Sequence, residues 1–377
     1  MTTPSRSPSP QPLFAPDSGV ASPSRGAATT LPDSTQQAAE ALDVTRTAQR
    51  WLKDEPAVAL ATVISTWGSA PVPTGGQMVV TADGRFQGSV SGGCIEGDVI
   101  AQAEDIVERG GVHAFNYGVE DETAWRVGLP CGGQLKVLVE RLQARSDEDR
   151  ALLDAALLPR DRRVGVAVRT HLRSGERTLF IDDGASVLPA DIERALVGGK
   201  SHLVDADTDE ATFIHALVPV PRVIIVGATH IAQVLSAMLK LIGYAVELVD
   251  PRTAFATDLR FPDVNLNTQW PVDAIPAIGL DRYTGVVTLA HEGRIDDEAL
   301  RLALAGPCFY VGALGSKRNH AKRIERLSAA GVSMDEIGRI SAPVGLDIGA
   351  QSPPEIAVSI LADIVKAARQ GTGTQPA

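Results

Sequence analysis

Two cysteines in this chain are framed by glycine in a way that suggests chemistry. The first lies in Gly88-Ser89-Val90-Ser91-Gly92-Gly93-Cys94-Ile95-Glu96-Gly97, the second in Gly128-Leu129-Pro130-Cys131-Gly132-Gly133. The apolar residues Val99, Ile100, Ala103, Ile106 and Val107 recur at helical spacing from Asp98 to Arg109, so Cys94 is expected on a glycine turn at the mouth of a helix. Unpaired N–H groups and the helix dipole stabilise an anion there, which favours a thiolate. Gly88, Gly92 and Gly93 carry no side-chain bulk, so a phosphate or a flat ligand could approach the backbone closely. Ser91, Gly92, Gly93, Cys94, Cys131 and Gly132 are therefore candidate cofactor-binding residues, and Cys94 and Cys131 candidates for the chemistry itself. The plainer alternative is a pair of reduced packing cysteines or a disulfide.

A second set follows Arg222-Val223-Ile224-Ile225-Val226, an apolar strand leading into Gly227-Ala228-Thr229-His230-Ile231-Ala232. A dinucleotide fingerprint would want Gly-x-Gly-x-x-Gly or Ala here. Thr229 replaces the second glycine, although its hydroxyl could cap the helix and donate to a phosphate. Asp250, 23 residues beyond Gly227 at the end of the next strand, is placed to bind a ribose diol, and Arg252 leaves NADP open beside NAD. His230 reads either as a helix-mouth donor or as an exposed side chain. His291, at a carboxyl end of the expected sheet, is a candidate for proton transfer or ligand contact, or a solvated loop residue. Gly312 to Arg318 opens another helix, where Gly315, Ser316 and Lys317 offer N–H groups and charge to an anion.

The elements that must position these groups fall into two parts. Residues 1–34, rich in Ser, Pro, Thr and Ala, read as a disordered tail, as do residues 371–377. Residues 35–218 read as a mixed α+β domain: a helix at 35–53, a strand at 57–67, a Gly/Pro-rich loop at 68–76, a hairpin around 78–87, a strand from Gln134, a charged helix at 146–158, a second hairpin at 164–170 and 178–182, a helix at 190–196 and a strand at 211–218. The loop at 68–76 could wall the cysteine pocket, with Ser69 and Thr74 as hydroxyl donors, or be a surface turn. Val218-Pro219-Val220-Pro221 marks the boundary. Residues 219–370 then alternate strand and helix with near-continuous apolar strands, the pattern of a Rossmann-like, doubly wound parallel sheet. Cys308, at the start of one such strand, reads as an inert core residue. The last helix offers Ile356, Ile360 and Ile364 for packing or for a homodimer.

Composition narrows the function further. The chain has 377 residues, 44% of them apolar, and a formal charge of −11, which provides for two cores and argues against a nucleic-acid or anionic-membrane partner. Three cysteines without paired spacing fit a reducing, cytoplasmic setting better than a disulfide scaffold. No apolar run approaches the ~20 residues of a membrane span, and no Cys/His spacing suggests a zinc site.

Taken together, Thr66-Trp67-Gly68-Ser69-Ala70-Pro71, the two Cys-Gly stretches, Val226-Gly227, Gly312 to Arg318 and Ala342 to Ala350 resemble the XdhC/CoxI family, accessory proteins for xanthine dehydrogenase, carbon monoxide dehydrogenase and related molybdenum hydroxylases. The matching stretches run in order from about Trp51 to Val365. The resemblance implies a chaperone that binds molybdenum cofactor (molybdopterin), assists its sulfuration, with a cysteine desulfurase as a possible sulfur source, and delivers it to an apo molybdenum hydroxylase. It carries Cys94 and Cys131 over as the thiols of the cofactor or sulfur-handling site, and the glycine-lined helix mouth would suit the pterin's phosphate. Two departures stand out: Thr229 where the family usually has glycine, and only His291 in a stretch usually richer in histidine. The competing class is an NAD(P)-dependent oxidoreductase acting on a small molecule between the two domains, with Asp250 gripping the ribose.

Overall fold

The computed structural model describes residues 43–68, 70–118, 133–206 and 208–370. Among them fifteen strands form three sheets. The first is antiparallel and contains β1 (Ala57–Trp67), β2 (Gln77–Val80), β3 (Phe86–Gly88), β4 (Val112–Tyr117) and β5 (Gln134–Gln143), in the order β3-β2-β1-β5-β4. β1 is apolar along most of its length because both of its faces are covered. Helices α1 (Val44–Trp51) and α3 (Asp147–Arg162) pack on Val58 and Leu60. Helix α2 (Glu96–Arg109) lies on Ala57, Ala59, Ala61 and Val63 through Val99, Ala103 and Ile106. The second sheet has the order β7-β6-β9-β8, from β6 (Gly165–His171), β7 (Arg177–Asp182), β8 (His202–Val204) and β9 (Thr212–Leu217). Ile192 and Leu196 of α4 (Ala190–Gly198) pack on its Ala167 and Ile214.

The third sheet is the expected parallel one. Strands β10 (Arg222–Val226), β11 (Ala245–Val249), β12 (Asn265–Asn267), β13 (Thr284–Thr288), β14 (Tyr310–Ala313) and β15 (Ile340–Ser341) take the order β12-β11-β10-β13-β14-β15, every pair parallel. The chain enters at the centre, winds outward to β12, then returns to β13 and winds the other way, which is the doubly wound topology. Helices α5 (His230–Leu241) and α10 (Pro353–Gln370) cover one face, where Leu235, Leu239, Ile360 and Ile364 are fully buried. The apolar stripe of the last helix is thus used within the chain, packed against α5, and does not stand open for a second copy. The other face carries α6 (Pro271–Ile278), α7 (Gly293–Ala305), α8 (Lys317–Ala329) and the single turn α9 (Met334–Ile337), with Ala299, Leu300, Leu304 and Leu327 in the core. Cys308 is buried just before β14, and burial pushes its thiol up to about 12.

At the turn from β10 into α5, Gly227 has φ +110°, and a Cβ there would lie 2.4 Å from the Ala290 nitrogen. The first glycine of the fingerprint is therefore required by the fold, because the chain leaving β13 passes directly over it. Gly227→Ala is expected to cost about 2–4 kcal/mol, combining left-handed strain with overpacking; a chemical denaturation curve indistinguishable from the parent's would contradict this contact.

Candidate functional site

The Cys94 turn is organised by a carboxylate of its own chain. Glu96, the first residue of α2, is buried, and its Oε1 accepts from Ser89 Oγ at 2.6 Å, the Val90 N–H at 3.2 Å and the Ser91 N–H at 2.9 Å. Its Oε2 accepts from Ser91 Oγ and, at 2.8 Å, from the Gly93 N–H. Ser91 Oγ in turn accepts from the Cys94 and Ile95 N–H groups at 3.0 Å each, and Ser89 Oγ from the Gly92 N–H at 2.9 Å. Every backbone N–H from Val90 to Ile95 thus has a partner inside the turn. Burial pushes the Glu96 carboxyl up, but the hydrogen bonds from Ser89 and Ser91 outweigh it and hold the pKa down to about 2. Within the turn itself, the N–H groups of residues 90–95 are thus taken by Glu96, Ser89 and Ser91 rather than left for an outside anion.

The thiol is what the turn leaves over. Cys94 is half-buried, packed at the edge of the core below α2 together with Val72 and Tyr117. Gly93 and Gly97 on either side are exposed, and among the described residues a Cβ on either would meet nothing within 4 Å, so the described residues leave the approach to the thiol open. The loop after β1 comes close to the turn, with Pro71 3.3 Å from where a Gly92 Cβ would stand. Its far end turns elsewhere, with Gly75 against Ser201 and His215 of the second sheet region. Tyr117 donates to Asp98 at 2.8 Å. Nearby, Trp67, Tyr117, Gln134 and Lys136 line a cavity of about 550 Å³ where β1, β4 and β5 end. Gly118 and Gly133 flank the stretch carrying Cys131 at this same sheet end. Cys131 and Gly132 themselves, like Ser69, lie outside the described residues.

The nucleotide-type residues also turn inward. Asp250 is fully buried and accepts the Ala228 N–H at 2.7 Å, the Arg252 N–H at 2.9 Å, and Arg252 Nε and Nη2 at 2.9 and 2.8 Å. Burial opposes its charge, yet these bonds keep its carboxyl below the ordinary range. A ribose diol would have to displace Arg252 to reach it. Thr229 caps α5 by accepting the Ala232 N–H, as its type suggested. His230 is exposed, with its Nδ1 3.3 Å from Gln233 Oε1.

His291 does lie at a cleft, of about 610 Å³, between the carboxyl ends of β13 and β14. It is exposed and takes a left-handed backbone conformation, φ +57°. Ser316 caps α8 by accepting the Asn319 N–H at 3.2 Å, and Gly315 and Lys317 flank it. Sequence reasoning missed two residues here that carry more than the histidine does. Asp296 is buried in the first turn of α7 and accepts the Ala290 N–H at 3.2 Å; burial pushes its carboxyl up to about 6. Arg323 is buried on α8, donates from Nη2 to Leu314 O at 2.9 Å, and has no hydrogen-bond partner for Nε or Nη1. The available signal was periodicity: Arg323 sits one turn before buried Leu327, on the apolar stripe. Among the described residues, no group of three or more His, Cys, Asp or Glu side chains could hold a metal ion, and no helix is long and apolar enough to cross a membrane.

Known proteins resemble the chain across these elements. Residues 223–364 match the family model described as the XdhC Rossmann domain, and residues 51–118 that of the XdhC and CoxI family. A probable xanthine dehydrogenase subunit from Bacillus subtilis is 27% identical over 325 residues, covering 84% of this chain and 94% of its own. The molybdenum cofactor insertion chaperone PaoD of Escherichia coli is 28% identical over 305 residues, 81% of each chain. The crystal structure of a xanthine dehydrogenase from Bacillus halodurans superposes with a TM-score of 0.59 at 26% identity, covering 86% of this chain and 96% of that one.

Two side chains test this electrostatic picture. The folded pKa of Glu96 lies below its ordinary 4.5, so its contribution to stability is full above that value and is lost as pH falls toward 2. Glu96→Gln is expected to lose about 2 kcal/mol or more at neutral pH and to flatten acid unfolding in that window; equal parent and variant pH profiles would sink the assignment. Asp296 has the opposite sign. Its carboxyl is raised from 3.8 to about 6, so stability declines as pH rises through that interval. Asp296→Asn should therefore be more stable than the parent at pH 8, by on the order of 2–3 kcal/mol, with the advantage gone near pH 4. Paired urea titrations at the two pH values read this directly.

Proposed function

The chain belongs to the XdhC and CoxI family, and from that premise we propose that it is a maturation factor. In this reading it binds molybdenum cofactor as cargo, assists its terminal sulfuration and hands it to a xanthine dehydrogenase-type molybdenum hydroxylase. The observation that carries the reading is the likeness to the Escherichia coli molybdenum cofactor insertion chaperone over 81% of both chains. The structure supports it by giving a soft ligand a seat: Cys94 is half-buried, its turn is rigidly hydrogen-bonded, and the glycines beside it leave the approach open.

The residues divide the work by their chemistry. Cys94, with Cys131, would present sulfur to molybdenum or carry a persulfide sulfur received from a cysteine desulfurase, since thiolates suit both. Glu96 positions Cys94 by holding the turn, and Pro71 and Val72 shield one side of it. The N–H groups of residues 90–95 are taken within the turn and are not offered to the cargo's phosphate. An accessory role without turnover fits the relatives. The oxidoreductase alternative is not favoured, because the carboxylate that would grip a ribose already accepts four donors.

Native mass spectrometry of the protein purified from a molybdenum-cofactor-producing host is expected to find one pterin–molybdenum ligand per chain. Cys94→Ser or Cys131→Ser should reduce occupancy by about tenfold or more, the loss of one metal–thiolate contact. NAD and NADP should leave the melting temperature unchanged. Undiminished occupancy in both cysteine variants would remove the thiols from the account.

A further inference from the structure

We propose that the cleft between the carboxyl ends of β13 and β14 is a binding site for a dianionic phosphate group, free or carried on a small organic ester. The inference goes beyond the molybdenum reading and does not depend on either glycine-framed cysteine.

Position comes first. In a doubly wound sheet the ligand crevice opens where strand order reverses, here between β10 and β13. At that crevice Gly227 is pressed against Ala290, and the Ala228 N–H is bound to Asp250. The open space lies one strand over, and its volume of about 610 Å³ is of the size that holds a small ligand. The amino ends of α7 and α8, each of 13 residues, meet there, and α7 has no side-chain cap of its own. Both dipoles thus favour negative charge in the cleft.

Charge is the second argument. The Arg323 guanidinium is buried against the cleft with Nε and Nη1 unpartnered. Its nearest carboxylate oxygen, Asp297 Oδ1, is 3.8 Å away, and Asp297 is already held by both Nε and Nη2 of Arg326. Lys322 and Arg294 also line the cleft, and among the described residues neither has a carboxylate within 4 Å. A buried cation left this way is costly, and an anion in the cleft would compensate it. Asp296, whose carboxyl burial pushes up, is the other carboxylate whose charge acts on Arg323. The charged groups that act on Asp296 are Asp297 on its own helix, Arg323 and Arg326 on α8, and Arg252 after β11. The lining carries four cations, Arg294, Lys322, Arg323 and Arg326, against the carboxylates of Glu292, Asp296 and Asp297, and the free N–H groups of Arg323 suit the oxygens of a phosphate.

The test is isothermal titration calorimetry on the full chain at low salt, with inorganic phosphate, adenosine 5′-monophosphate and adenosine as probes. Both phosphates should bind and adenosine should not, with affinity falling as salt rises. The exposed substitutions Lys322→Ala and Arg294→Ala should each weaken binding by about fivefold to tenfold, and Asp296→Asn should tighten it at pH 7.5. Tighter binding of the nucleotide than of phosphate assigns the site to an organic ester; equal binding assigns it to the free ion. Cys94→Ser should change none of this, so failure here is separable from failure of the molybdenum reading. No heat with either phosphate, or affinities untouched by Lys322→Ala and Arg294→Ala in variants with parental melting temperatures, would overturn the proposal.

Discussion

The Glu96 carboxylate, taken up by five donors of the turn it terminates, is the constraint on which the first site depends. A glycine-rich turn has the backbone freedom to bind an external anion, but the same freedom makes it floppy. Here the chain supplies the anion itself. The outcome is a turn fixed without side-chain bulk, exposing a thiol beside two bare glycines. For the proposed function, pre-organisation of this kind would help Cys94 to hold a soft ligand, because little of the binding energy would be spent on ordering the loop.

The same device recurs in the parallel-sheet part of the molecule. Asp250, placed where a nucleotide-binding domain would keep its ribose carboxylate, is turned back onto Ala228 and gripped by Arg252. Gly227, placed where such a domain would admit a pyrophosphate, admits the chain leaving β13 instead. At both turns an internal carboxylate, Glu96 or Asp250, takes backbone N–H groups that the sequence pattern offers to a ligand. The sheet keeps its architecture, and the cleft at its β13–β14 end holds Arg323 with Nε and Nη1 unpartnered.

Much of the fold was legible because it rests on periodicity. β1 and β10 have the expected bounds, since runs of Val, Ile and Ala bounded by proline or glycine leave few alternatives. β4 was not found: His113, Ala114 and Asn116 are exposed at the edge of the sheet, so its sequence lacks an apolar run. β8 and β12 have three residues each, too few for any pattern. For the sites, residue types pointed to the right turns, but partners separated in sequence decided what those turns could do. That Glu96 folds back on residues 89–93, or that Ala290 crosses Gly227, is a property of three-dimensional closure that no local spacing encodes. Arg323 and Asp296 were missed because a charged residue on an apolar stripe looks like a break in the pattern until its burial is seen.

An ionised carboxylate sealing the Cys94 turn is therefore what the first site stands on. Its most direct test is a carboxyl carbon NMR titration of Glu96 in the folded protein. The structure requires the resonance to stay that of a carboxylate down to about pH 3, with its midpoint near 2. A midpoint at or above the ordinary 4.5 would mean that the N–H groups of the turn are not bound to it, and the turn would again be open to an anion from outside.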